Sequence, residues 1–420
     1  MMNTEGNNDN KPLGLWNVVS IGIGAMVGAG IFALLGQAAL LMEASTWVAF
    51  AFGGIVAMFS GYAYARLGAS YPSNGGIIDF FRRGLGNGVF SLAVSIAMVA
   101  RAFGAYAVQF LHEGSQEEHL ILLYALGIIA VMTLFNSLSN HAVGRLEVIL
   151  VGIKMMILLL LIIAGVWSLQ PAHISVSAPP SSGAFFSCIG ITFLAYAGFG
   201  MMANAADKVK DPQVIMPRAF LVAIGVTTLL YISLALVLLS DVSALELEKY
   251  ADTAVAQAAS PLLGHVGYVI VVIGALLATA SAINANLFAV FNIMDNMGSE
   301  RELPKLMNKS LWRQSTWGNI IVVVLIMLMT AALNLGSLAS VASATFLICY
   351  LAVFVVAIRL RHDIHASLPI LIVGTLVMLL VIVGFIYSLW SQGSRALIWI
   401  IGSLLLSLIV AMVMKRNKTV

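Results

Sequence analysis

The feature that most constrains this chain is a succession of apolar runs, each about 20 residues or longer, separated by short polar connections. They lie at 13–42, 47–69, 88–110, 120–140, 146–168, 185–206, 218–240, 262–296, 318–334, 338–358, 368–390 and 395–414. A helix rises about 1.5 Å per residue, so about 20 apolar residues cross the hydrocarbon core of a bilayer. The runs are continuous rather than alternating, which excludes an outer-membrane β-barrel. Of the 420 residues, 61% are hydrophobic and 9% charged. Roughly a quarter would be charged in a soluble domain, and no soluble fold of this size could bury so much apolar surface. The expected fold is all-α: a polytopic membrane protein of about 12 transmembrane helices. The first and eighth runs are longer than a crossing needs, so tilt or interruption is expected there.

The basic residues set the expected orientation. With a cytoplasmic N-terminus, the inside connections hold Lys11, Arg66, Arg82, Arg83, Arg145, Lys208, Lys210, Arg218, Arg301, Lys305, Lys309, Arg313, Arg359, Arg361, Lys415, Arg416 and Lys418. The outside connections hold only Lys249 and Arg395. This bias fits both termini inside a cytoplasmic membrane, and it accounts for the net charge of +3 without nucleic-acid binding. No cleavable signal peptide is evident, and the polar segment 1–12 reads as disordered. The outside connections at about 170–184 and 241–261 are too short for a separate domain, and 171–183 reads as an exposed loop.

Several chemistries are excluded by counting. Cys188 and Cys349 both lie in apolar runs, so neither a disulfide framework nor a thiolate metal site is expected. The seven histidines sit in or beside polar connections. There is no phosphate-binding glycine loop with its lysine. The chain is therefore expected to carry no catalytic residue, metal or cofactor and to be no enzyme. A channel is the different-class alternative, but no ring of charges or repeated filter motif supports it.

Two runs carry glycine interruptions. The first contains Gly22, Gly24, Gly28 and Gly30, and the sixth contains Gly198 and Gly200 in Phe193-Leu-Ala-Tyr-Ala-Gly-Phe-Gly. Each glycine weakens a helix by about 1 kcal/mol. Close helix packing would explain one such stretch. Two at equivalent places in two five-helix halves point instead to an inverted repeat with a midplane site. Unwound backbone at that depth must line a cavity or find partners. Freed N–H groups attract an anion and freed carbonyls a cation, and an α-amino acid carries both charges about one residue apart.

The sequence resembles the amino acid–polyamine–organocation transporter superfamily over nearly its whole length. The resemblance rests on Gly24-Ala-Met-Val-Gly-Ala-Gly-Ile-Phe32, Tyr71-Pro-Ser-Asn-Gly-Gly76, and Phe193-Leu-Ala-Tyr-Ala-Gly-Phe199. Asp207-Lys-Val-Lys-Asp-Pro212 with Met216-Pro-Arg218, and Asn284-Ala-Asn-Leu-Phe-Ala289 with Glu302-Leu-Pro304, complete it. It implies a LeuT-like five-plus-five inverted repeat within one transmembrane domain at 13–415. Repeat one then covers about 13–168, repeat two about 185–358, and two extra C-terminal helices about 368–414. It implies a substrate carboxylate on the N–H groups of Gly28, Ala29 and Gly30. The amine would meet carbonyls of Met26, Leu194 and Ala197, with Ala195 in the same segment. The chain departs from the family at Gly200 and Asn292, where many members carry an acid and an arginine, and in its loosened Asp79-Phe80-Phe81. Leu194 stands where some relatives have a gating aromatic, which leaves that role to Tyr196 or Phe199.

Two cations lie at membrane depth. Lys154 is about eight residues into the fifth run; it either snorkels to the interface or faces the broken first run. In sodium-independent relatives a lysine of this span stands where sodium sits in sodium-coupled ones. The resemblance thus implies an ammonium near the carbonyls of Gly24 and Val27, with Ser281 a third partner. Such a lysine could exchange a proton or act as a permanent pin in an exchanger. Arg101 stays charged and either meets carbonyls and water or serves an acidic substrate. Glu43, Asp79, Glu147, Asp207 and Asp295 all sit at run ends, so a cationic substrate would lack a counter-charge. The expectation is a secondary transporter of neutral L-amino acids working by alternating access, sodium-independent and proton-coupled. The alternative is an amino acid exchanger, for an acidic substrate if Arg101 binds it. The lipid bilayer, the amino acid and a proton are the expected partners; no obligate protein partner is evident.

Overall fold

The structure, a computed structural model, describes residues 13–71, 88–138, 143–169, 180–299, 307, 309–312, 315–402 and 405. The segment 1–12, the motif residues 72–76, Asp79 to Phe81, the loop 171–179, Glu302 to Pro304 and the end of the twelfth run lie outside the described residues.

Helices account for nearly all of the described chain. They are α1 (Leu15–Met26), α2 (Ala29–Met42), α3 (Thr46–Ser70), α4 (Gly88–Leu111), α5 (Glu118–Leu138) and α6 (Val143–Val166). After these come α7 (Ser182–Tyr196), a 3-10 helix (Ala197–Lys208), α8 (Pro212–Asp241), α9 (Ala244–Tyr250) and α10 (Ala254–Ser299). Two short antiparallel strands, β1 (Ser310–Trp312) and β2 (Ser315–Thr316), precede α11 (Trp317–Ala332), α12 (Leu335–Arg359) and α13 (Leu368–Ser391). With α1 and α2 taken as one crossing, the long helices match the first eleven apolar runs in order; the twelfth run begins as helix at 396–402. Among the described residues nine helical stretches are long and apolar enough to cross a membrane, and α1 and α11 are shorter apolar helices. One of the nine, Ala29–Ser70, turns at Glu43, where φ is 43°, and so divides into α2 and α3.

Local sequence explains the helix boundaries. Asn334, Thr316 and Ser181 cap α12, α11 and α7 by accepting from Ser337, Asn319 and Ala184 N–H groups. Pro212 occupies the first turn of α8, where it forfeits no helical bond. Ser243 and Glu246 form a capping box on α9. Pro261 and Gly264 (φ 66°) interrupt α10 near its start, so the segment Ala254 to Leu263 belongs with α9 to the connection and the crossing begins after it.

The bundle has a graded interior. Helices α4 and α7 are the most enclosed of the long apolar stretches, whereas α5, α6 and α13 present most of their surface outward. Exposed Leu123, Phe135, Ile163, Leu376 and Val383 form part of that outer belt, the surface expected against lipid.

Candidate functional site

Span one breaks over two residues. Helix α1 ends at Met26, Val27 adopts φ −79° and ψ 58°, Gly28 adopts φ −112° and ψ −141°, and α2 begins at Ala29. The Gly28 N–H donates to the Met26 carbonyl at 2.8 Å, closing a tight turn. The Gly28 amide therefore stays with the turn. The first N–H groups of α2, those of Ala29, Gly30 and Ile31, point along the helix axis with no intrahelical acceptor. They form the positive end of that helix. Of these, Ile31 was not singled out by the sequence, because the first position past the break is set by where the helix resumes.

Span six changes pitch instead of breaking. Helix α7 ends at Tyr196 and continues for twelve residues as a 3-10 helix, far longer than such helices usually run. The Ala197 N–H donates to Leu194, so the backbone there remains partnered. This corrects the expectation of an unwound segment: the glycines loosen the helix into a tighter-wound form that leaves fewer carbonyls free.

The two interrupted spans lie directly against each other. A Cβ on Gly30 would stand 3.2 Å from Ala195 Cα, and one on Gly198 would fall against the Ala25 carbonyl and within 2.7 Å of the Met26 nitrogen. A Cβ on Gly28 would make only an ordinary contact, with the Ala25 carbonyl at 3.5 Å.

Two tyrosines hold this junction. Tyr231, on α8, donates to the Met26 carbonyl at 2.7 Å and lies 3.2 Å from that of Ala195. Tyr350, on α12, donates to the Ala197 carbonyl at 2.7 Å. Of the carbonyls expected to receive an amine, Met26 and Ala197 thus already accept from tyrosines, and Leu194 from backbone. Neither tyrosine announces itself in the sequence, because no spacing rule links a residue on one span to a carbonyl on another.

The expected gating aromatics are both fully buried. Tyr196 donates to the Phe50 carbonyl at 2.8 Å, and its ring packs 5.1 Å from that of Tyr231. Phe199 sits among Tyr64, Phe220 and Tyr350, with ring centroids 5.7, 6.1 and 5.1 Å away.

Lys154 is 2% exposed, so its ammonium does not snorkel to a surface. Its surroundings follow from its helix face. Val151, one turn earlier, would stand 2.9 Å from a Cβ on Gly24 of α1. Ile157, one turn later, stands where a Cβ on Gly274 of α10 would be. Lys154 therefore lies in the seam between spans one, five and eight. Ser281 is partly buried on the Gly274 face of α10, two turns on.

Arg101 is held by protein partners on two of its nitrogens. Its Nε donates to the Thr330 carbonyl at 2.8 Å, and its Nη1 pairs with Glu118 at the start of α5. The arginine is 5% exposed and the glutamate 68%, so the pair joins a buried charge to the mouth of the bundle. Glu118, just ahead of the apolar run at 120–140, was not among the acids the sequence singled out, and it is this acid that pairs with Arg101.

Among the described residues no group of three or more His, Cys, Asp or Glu side chains could hold a metal. What remains is a pair of interrupted apolar helices crossed at mid-bundle, with one buried lysine in the adjoining seam. That is the architecture of a membrane transporter. The chain belongs to the amino acid permease family, whose model matches residues 13–411. It is 97% identical to the inner membrane transport protein YbaT of Escherichia coli strain K12, over 100% of both chains. It is 26% identical to the methylthioribose transporter of Bacillus subtilis, over 90% of this chain and 88% of the relative. It is likewise 26% identical to the serine/threonine exchanger SteT of the same organism, over 72% of each chain.

Proposed function

We propose that this protein carries neutral L-amino acids across the cytoplasmic membrane by alternating access, without sodium and coupled to protons. The observation that carries this reading is the start of α2. The N–H groups of Ala29, Gly30 and Ile31 have no intrahelical acceptor and, beside the break at Gly28, suit a carboxylate. The substrate ammonium would share the Met26 carbonyl with Tyr231 or take its place. A hydrophobic or small polar side chain fits a site with no neighbouring acid, whereas a guanidinium or second amine would go unpaired.

In this proposal the termini are cytoplasmic, which puts the α9 connection and the Arg101–Glu118 pair outside. The repeats at 13–168 and 185–358 move against each other about the crossing of spans one and six, and the helices at 368–414 stay peripheral. Lys154 couples the motion to a proton through the seam it fills. The second reading is exchange, with Lys154 a structural pin in the seam, and the serine/threonine exchanger among the relatives supports it.

The test is uptake into proteoliposomes with a panel of amino acids and methylthioribose. Accumulation of a neutral amino acid that rises with an inward proton gradient supports symport. Uptake that requires internal amino acid and ignores the gradient assigns exchange. Transport of methylthioribose alone overturns the amino acid assignment.

A further inference from the structure

The connection Ala244 to Leu263 is seated on the far end of α2. A Cβ on Gly36 would collide with the Ala251 carbonyl and stand 2.7 Å from Ala254 Cβ; only glycine permits the loop to come so near. The next residue of α2, Gln37, donates from Nε2 to Asp252 Oδ1 at 2.7 Å. Asp252 thus holds the seam between a loop and the half-helix that bears the substrate N–H groups. We propose that Asp252 is a proton-binding site, and that its protonation favours closure of this loop over span one.

The surroundings fix the direction. From α2 the carboxylate faces Gln37, from α4 Arg101 and Tyr106, and from the start of α5 Glu118. On α9 the charged groups are Glu246, bound to Ser243, Lys249, which stacks over Tyr250, and Glu248. On α10, Tyr268 adjoins Tyr106 and is hydrogen-bonded to Gln109. Burial, reinforced by the negative Glu118, pushes the Asp252 carboxyl up from 3.8 to about 6, against the opposing pull of Gln37 and Arg101. A raised pKa in the seated loop means that the seated form binds the proton more tightly than a solvated, lifted one. Closure is then favoured as pH falls, and ionisation above about pH 6 favours lifting. A proton taken up from outside would accompany closure behind an entering substrate, a role distinct from that of Lys154.

This inference rests on the transport reading for its purpose but not for its test. Thr253, fully buried beside Asp252, is replaced by cysteine as a reporter of loop lifting. Its labelling by a membrane-impermeant maleimide is followed from pH 5 to 7.5 in purified protein, with Asp252 intact and in Asp252→Asn. The ratio of the two rates cancels the titration of the thiol itself. With a carboxyl at about 6 when seated and 3.8 when lifted, the ratio should rise about tenfold across that range. A ratio that does not change with pH overturns the proposal. Should Asp252→Asn not fold, Gln37→Leu removes the hydrogen bond that favours the ionised form. Its labelling profile should move to higher pH, and an unmoved profile is equally fatal. Absence of amino acid uptake with an intact pH-dependent ratio would reject the proposed substrate while leaving the proton site standing.

Discussion

The Tyr231 hydroxyl donates to the Met26 carbonyl at 2.7 Å, tying span seven to the last helical residue before the break in span one. The same hydroxyl lies 3.2 Å from the Ala195 carbonyl on span six. One phenolic proton therefore bridges spans one and six where they cross. A hydroxyl has only one proton to give, so strengthening one bond weakens the other, and a small relative movement of the two spans can switch it.

Tyr231→Phe is expected to remove this bridge while keeping the ring that packs on Phe50 and Tyr196. A buried carbonyl left without its donor costs about 1–3 kcal/mol. Thermal unfolding in detergent should fall accordingly, and uptake should fall several-fold more than stability alone explains. Wild-type uptake would show that the bond has no part in the cycle.

The two glycine positions separate packing from binding. Gly198→Ala places its methyl against span-one backbone, which cannot rotate away, and should cost about 1–3 kcal/mol. Gly28→Ala meets nothing nearer than 3.5 Å and should leave the unfolding temperature nearly unchanged. Its effect is expected on substrate affinity instead, because the methyl enters the space proposed for the carboxylate. Gly30 is the poorer probe: its Cβ would press on Ala195 at 3.2 Å, so loss of uptake there would not distinguish the two causes.

Lys154→Ala is expected to weaken uptake and to make the remainder indifferent to a proton gradient. The ammonium is buried in the seam of spans one, five and eight, and losing it should loosen that seam. Measuring counterflow beside gradient-driven uptake decides the role. If gradient dependence alone disappears, Lys154 couples protons; equal loss in both assays makes it a structural pin.

Neutral L-amino acids should inhibit uptake, with arginine and putrescine weak competitors. Glutamate should also compete poorly, because Arg101 already serves Glu118 and the Thr330 carbonyl. Arg101→Ala should accordingly lower uptake of every substrate alike. Strong competition by glutamate, lost selectively in that variant, would make Arg101 a substrate ligand.

What the sequence by itself determined is the membrane class, the succession of crossings and the places where helices weaken. Those follow from properties local to the chain: about 20 apolar residues reach across a bilayer, and glycine lowers helix stability wherever it stands. The glycine-weakened stretches of spans one and six and the membrane-depth cations Arg101 and Lys154 were legible in this way; that span six changes pitch at Ala197 instead of unwinding was not. Partners were not. That Gly28 spends its N–H on Met26, that Tyr231 and Tyr350 occupy carbonyls of the other spans, and that Glu118 neutralises Arg101 depend on which faces meet. So does the seating of Asp252 on Gln37, 215 positions away in the chain. A hydrogen bond needs its atoms within about 3 Å, and only the packing of all the spans together brings such distant residues that close.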